Sequence, residues 1–257
     1  ISPEYIDFLT WWLSSMARHF DVHLVLGNHD GNLLNSSRQD AVSPIVDAMS
    51  HPRVKLYKRS GVYPIVPGFD FCVFSCFDEN GWKDVRPRPG NVSIATFHGP
   101  VAGSLTEVGW GIEDGTPVSQ FQDFDFCFLG DIHRPQVLGR RDGKPWIAYP
   151  GTPIQQNYAE QLEHGYLLWD IRSRDDWEVV TRPLPNVRPF VTLDWAGTVD
   201  STLAEAMRHP ISSRFRVRSQ VHVSSGDFHV LSEALRAKMN ATEVTYKSDQ
   251  QPERKST

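Results

Sequence analysis

The chain has 257 residues, 40% of them hydrophobic and 22% charged, an ordinary balance for one large globular domain or a main domain with a smaller companion. No apolar run approaches the ~20 residues that cross a bilayer, and no basic start followed by an apolar stretch marks a signal peptide. The net charge of −5 does not announce a nucleic-acid binder, but it is uneven: residues 185–257 hold 10 Lys and Arg against 8 Asp and Glu, the remainder 16 against 23.

In chain order, Tyr5, Phe8, Leu9, Trp12, Leu13 and Met16 recur at helical steps behind the cap signal Ser2-Pro3-Glu4, which predicts an amphipathic helix over 3–19. A strand over 22–26 runs directly into Gly27-Asn28-His29-Asp30. A second helix is expected over 39–49 and a short strand over 54–56. Strands follow at 62–66, 69–77 and 92–97, the last ending at His98-Gly99-Pro100. Residues 100–123 read as a long loop, a feature uncommon in a compact domain unless it covers a site. A buried strand over 124–129 ends at Gly130-Asp131-Ile132-His133, and further strands are expected at 136–138, 145–149, 165–171 and 177–183. Pro183, Pro185 and Pro189 punctuate the chain and predict a boundary near 186. Beyond it the expected order is β-α-β-α-β, with strands at 190–195, 215–223 and 243–247 and helices at 201–208 and 228–239. The last ten residues read as a polar tail. The domains are therefore expected at 1–185 and 186–257.

Cys72, Cys76 and Cys127 are an odd count without paired spacing, which predicts no disulfide framework and a reducing compartment. All three sit in apolar runs and read as small core residues.

Three strands end in the same way, with polar donors following at once: Asn28, His29 and Asp30 after the first, His98 after the second, Asp131 and His133 after the third. Carboxyl ends of neighbouring strands converge on one crevice in α/β folds. Imidazole, carboxylate and amide oxygen together suit Mn, Fe or Zn rather than Ca. A single strand-end histidine is ordinarily structural, and Asp30 reads as a turn or supporting residue. His19, His23, His51, His164, His209, His222 and His229 have no partner motif and read as structural.

Taken in order, these motifs resemble the calcineurin-like metallophosphoesterase superfamily. The segment Tyr149-Pro150-Gly151-Thr152-Pro153-Ile154-Gln155-Gln156, with Glu160 and the run from His164 to Asp170, is similar to SbcD-type nucleases, exonuclease subunits of double-strand-break processing complexes, and to phage recombination nucleases. The resemblance covers most of residues 1–185. It implies an α/β fold with a four-layer metallophosphoesterase-type β-sandwich flanked by helices and a small α/β capping domain. It further implies two divalent cations, most often Mn2+. Asn28, His98 and Asp131 would ligate the second, Asp131 standing where the family often has His, and His133 the first. His29 would stabilise charge on the phosphate or protonate the leaving oxygen. Two family motifs are absent: an Asp-x-His strand end and a Gly-Asp-x-x-Asp strand end; Asp21-Val22-His23 begins a strand rather than ending one. Because the chain opens on Ile1 at a helix start, a processed or partial sequence is expected, with those motifs upstream and the fragment inactive by itself.

Two cations ~3.5–4 Å apart lower the pKa of bound water and neutralise charge on a phosphodiester in flight. The leading expectation is thus a Mn-dependent cytoplasmic DNA nuclease subunit, pairing with an SbcC-type ATPase and dimerising, without a membrane contact. A phosphatase or cyclic-nucleotide diesterase on the same metal core is the second reading, and a non-catalytic binding remnant the third. Arg214, Arg216 and Arg218 alternate on one expected strand and share a face; either they contact DNA phosphates or they form a solvated sheet face.

Overall fold

Ser2 Oγ accepts the Tyr5 N–H and opens helix α1 (Pro3–Ala17), with proline in its first turn. The computed structural model describes residues 2–35 and 37–249; most of the expected polar tail lies outside them. Only part of the apolar stripe of α1 reaches a core. Leu13 and Ala17 are buried and Leu9 and Met16 half-buried, while Tyr5, Phe8, Trp11 and Trp12 remain exposed. The sequence pattern therefore overstates the buried face: the small cluster beneath the helix, built on Val22, Leu26, Val46 and Val54, is wide enough for only one side of it.

The protein is a mixed α/β fold that divides into two compact units, residues 1–151 with 167–181 and residues 152–166 with 182–257. Compared with the expected boundary near 186, the structure counts residues 152–166 with the second unit. Among the described residues no helix is long and apolar enough to cross a membrane.

In the first unit, β1 (Val22–Val25) pairs in parallel with β2 (Val54–Tyr57), with α2 (Ser43–Met49) between them. The second helix starts four residues later than its pattern suggests. Asp40 explains this: its carboxylate accepts the N–H groups of Val42 and Ser43 and the Ser43 hydroxyl, fixing a turn before the helix.

A six-stranded sheet carries the main core. It contains β3 (Gly61–Val66), β4 (Phe69–Phe74), β5 (Val92–His98), β6 (Phe126–Gly130), β7 (Gln136–Arg141) and β8 (Lys144–Tyr149), in the order β3-β4-β5-β6-β8-β7. The four inner strands are parallel and the two edges antiparallel. The inner strands are near-continuous apolar runs, as burial on both faces requires; six of the seven β5 residues are buried. β4 stops three residues short of expectation because Ser75 turns the chain, its hydroxyl donating to Lys58 O while its carbonyl takes the Trp82 indole. A 3-10 turn over Glu79–Asp84 follows.

The strands β9 (His164–Ile171) and β10 (Trp177–Leu184) form a two-stranded sheet. Trp169 of β9 packs on Phe128, and Phe128 on Phe71, so one face of the large sheet carries an aromatic row. The row floors an apolar furrow of about 460 Å³, lined also by Ile65, Phe69 and Leu167.

In the second unit, β11 (Phe190–Asp194), β12 (Arg214–Ser219) and β13 (Glu243–Ser248) form a parallel sheet in that order, linked by α3 (Val199–Ala206) and α4 (Ser225–Met239). Thr198 and Ser224 cap the helices. Phe215 and Val217 alternate inward against Leu203, Leu231 and Leu235.

Candidate functional site

The parallel register of β5 and β6 sets His98 beside Gly130, so the tips of these neighbours carry His98 and Asp131 side by side. The His98 ring lies in a slot between two glycines. A Cβ on Gly27 would stand 2.7 Å from its Cε1, and one on Gly130 would stand 2.8 Å from its Nδ1. These glycines serve close approach: any larger residue would push the imidazole out.

The tip of β1 meets the same place. Asn28 Nδ2 donates to Asp131 Oδ1 at 3.0 Å, and His98 Nε2 stands 3.6 Å from that oxygen. With its NH2 turned to the carboxylate, Asn28 must aim its Oδ1 elsewhere, and that oxygen is buried with no hydrogen-bond partner among the described residues. Asp131 has φ +97°, a left-handed conformation that strains any residue but glycine. Burial holds His98 below the usual imidazole range, against the opposing pull of Asp131 and Asp30. The ring is therefore neutral near pH 7, with a nitrogen lone pair to offer.

His29 and His133 also act electrostatically on His98, which puts the predicted residues in one neighbourhood. His29 is exposed. Asp30 serves the backbone instead, since its carboxylate accepts the Gly27 N–H at 2.7 Å and closes the turn after β1. The His133 N–H donates to Glu107 Oε1 at 3.0 Å, and its Nδ1 lies 3.9 Å from the same oxygen. Glu107 comes from the long loop, where no periodicity singles it out; only its spacing opposite a strand tip could have been suspected.

Tyr149 is fully buried and donates its hydroxyl to Gly99 O at 2.7 Å, tying down the chain just past His98. Gly151, at φ +75°, lets the backbone pass so close to His133 O that a Cβ would stand 2.5 Å away. The rest of that sequence signature organises the second unit. Gln155 bonds the Glu160 and Phe190 carbonyls and takes the Phe190 N–H, and the buried His164 ring bonds Thr152 and Gln161.

Among the described residues no group of three or more His, Cys, Asp or Glu side chains is arranged to hold a metal ion. At the strand tips His98 and Asp131 are two such groups, and Asn28, whose Nδ2 meets Asp131, carries an amide oxygen that could serve as a further donor. An orphaned hard oxygen, a carboxylate and a neutral imidazole fit a divalent transition ion of the Mn type.

The cysteines take no part. Cys72 and Cys127 are fully buried. Burial pushes the Cys72 thiol up to about 12, raises Cys127 well above its usual range and pushes Cys76 up to about 11.

Arg214, Arg216 and Arg218 do alternate on one face of β12, away from the helices, but each has intramolecular company. Arg214 stacks over Phe190 at 4.4 Å and Arg216 over Tyr158 at 4.6 Å. Arg216 also donates to Thr192, and Arg218 makes a forked pair with Asp194.

No family model matches the chain. It is similar to an uncharacterized protein of Acanthamoeba polyphaga mimivirus, 34% identical over 184 residues, which takes in 66% of this chain. The chain spans only about 13% of that protein's length.

Proposed function

We propose that the three strand tips form half of a two-cation phosphodiesterase centre. Within that class, the motifs favour a DNA nuclease of the SbcD type, built on the metallophosphoesterase sandwich. The observation that carries this reading is the buried Asn28 Oδ1, unpartnered among the described residues, beside the strained Asp131 and the neutral His98. A protein does not ordinarily bury a bare amide oxygen without a ligand to offset the cost, and Asp131 at φ +97° lies well outside the left-handed well that Asp142 occupies at +49° in a plain turn.

Asn28, His98 and Asp131 would hold one divalent ion and His133 would contribute to a second. Bound there, such ions supply charge neutralisation for a phosphodiester and an acidified water. The chain's own residues set the geometry. The Gly27 and Gly130 slot fixes the plane of His98, the Asn28 amide N–H orients the Asp131 carboxylate, and Glu107 holds the His133 backbone. His29, exposed at the edge, is the group that protonates the leaving oxygen or steadies phosphate charge. An SbcC-type ATPase and a second copy are the partners this reading would bring.

The test is Mn2+ titration calorimetry on the 257-residue chain, together with hydrolysis of a small aryl phosphodiester and of duplex DNA ends by the longer protein that this reading expects. Saturable Mn2+ uptake that Asn28→Ala, His98→Ala and Asp131→Ala each weaken at least tenfold supports the centre. Uptake unaffected by all three rejects it. Turnover of monoesters alone moves the protein to the phosphatases.

A further inference from the structure

The loop between β5 and β6 is too well built to be a mere connection. Backbone bridges join Val101 to Thr116 and Leu105 to Gly111. Gly103 N–H donates to Ile112 O and Ile112 N–H to Ser104 O, both at 2.8 Å. At the tip, Thr106 N–H donates to Trp110 O, and the Trp110 N–H returns to Thr106 Oγ1. Gly109 supplies the positive φ of +86° that the turn needs. Two side chains then pin this hairpin to the strand-tip region: Gln136 bonds both the N–H and the carbonyl of Leu105, and Glu107 takes the His133 N–H.

The rigid tip displays Trp110 with 76% of its surface exposed. Beside it runs Arg134, whose guanidinium comes within 3.7 Å of where a Gly109 Cβ would be. A flat aromatic on a pre-ordered turn loses little entropy on meeting another flat ring, which is how proteins hold unpaired bases. Glu113 and Asp114 are exposed on the return of the loop, so what the turn offers a strand is the ring rather than a run of positive charge.

We propose that the 105–111 turn is a stacking platform for an unpaired nucleobase, with Trp110 as its surface, so that the adjoining centre takes single-stranded or frayed DNA ends in preference to intact duplex. This rests on the nuclease reading for its substrate, but its test is independent of turnover.

Binding of the 257-residue chain to a fluorescent 15-nucleotide single strand and to a blunt duplex is measured by anisotropy in EDTA. Trp110→Ala should weaken single-strand binding about tenfold, the range of one base–aromatic stack, and duplex binding less than about twofold. Trp110→Phe should keep most of the affinity, Val108→Ala should leave it unchanged, and the Trp110→Ala loss should persist at high salt. Unchanged binding by Trp110→Ala, an equal loss on duplex, or an equal loss in Val108→Ala overturns the platform; the last points to a protein partner. Failure of the parent chain to bind single strands overturns it too. Single-strand binding that depends on Trp110, without any Mn2+ uptake that Asn28→Ala, His98→Ala or Asp131→Ala weakens, keeps the platform and sinks the nuclease reading. Mn2+ uptake that those three variants weaken, with Trp110→Ala binding single strands like the parent, does the reverse.

Discussion

The strand-tip cluster of the first unit and the arginine face of the second are both conspicuous in the sequence, and they differ in how their polar groups are treated. Every arginine on β12 has a ring or an oxygen partner supplied by its own unit. At the strand tips, as at Arg216 Nε, a buried polar atom is left without a partner among the described residues, but only at the tips does an aspartate in a strained backbone stand beside it. Groups that a fold satisfies internally are mostly there to hold it; groups it holds ready and unsatisfied await something else.

The sharpest way to break this comparison is Asp131→Gly. Glycine relieves the positive φ, so thermal stability should rise by on the order of 1 kcal/mol. Mn2+ affinity should fall by ~100-fold or more, as loss of a ligand requires. A variant that is no more stable and binds Mn2+ like the parent would put Asp131 back among ordinary turn residues.

The opposite pattern is expected on β12. Arg214→Gln with Arg216→Gln removes two cation–ring stacks and should lower the unfolding free energy of the second unit by about 1–2 kcal/mol, read from urea melts. Adding Arg218→Gln should leave the slope of log affinity against log salt within about 1 of the parent for duplex DNA. A slope flatter by two or more puts these arginines on phosphates instead.

Asp40 sharpens the contrast from the side of pH. Burial opposes its ionisation, but Lys58 and Ser43 outweigh that and hold its pKa at about 2, against the usual 3.8. A lowered folded value means the stabilisation is complete above about pH 4 and disappears as pH falls through about 2. Its size is at most about 2 kcal/mol. Acid titration of the unfolding free energy should show this step in the parent and not in Asp40→Asn.

The smallest effect is expected at Tyr149→Phe, which leaves the Gly99 carbonyl without its donor and costs about 1 kcal/mol. Because the lost bond adjoins His98, Mn2+ affinity should drop severalfold as well, detectable by the same calorimetry.

What the sequence made legible follows from local rules. Leu24-Val25-Leu26 before Asn28, and Phe126 to Leu129 before Asp131, are apolar runs that end abruptly, so both the strands and their polar tips could be read. The alternation of Arg214, Arg216 and Arg218 defines their common face. What escaped depends on residues distant in the chain. The stacking of Arg216 on Tyr158 spans 58 positions, and Glu107 reaches His133 from a loop that Gln136 pins at Leu105. Asp40 delays α2 through side-chain bonds that compete with the helix, which hydrophobic periodicity does not register. On α1 the periodicity is genuine, but it cannot say how wide a surface waits beneath the helix.

The furrow over the large sheet has a calorimetric consequence. Phe71, Phe128 and Trp169 already meet water along its floor in the native state. Melting the first unit therefore wets less new hydrocarbon than its length implies. Its heat-capacity increment should fall below the ~12–15 cal/mol/K per residue of ordinary domains, and a compound that fills the furrow should raise the melting temperature.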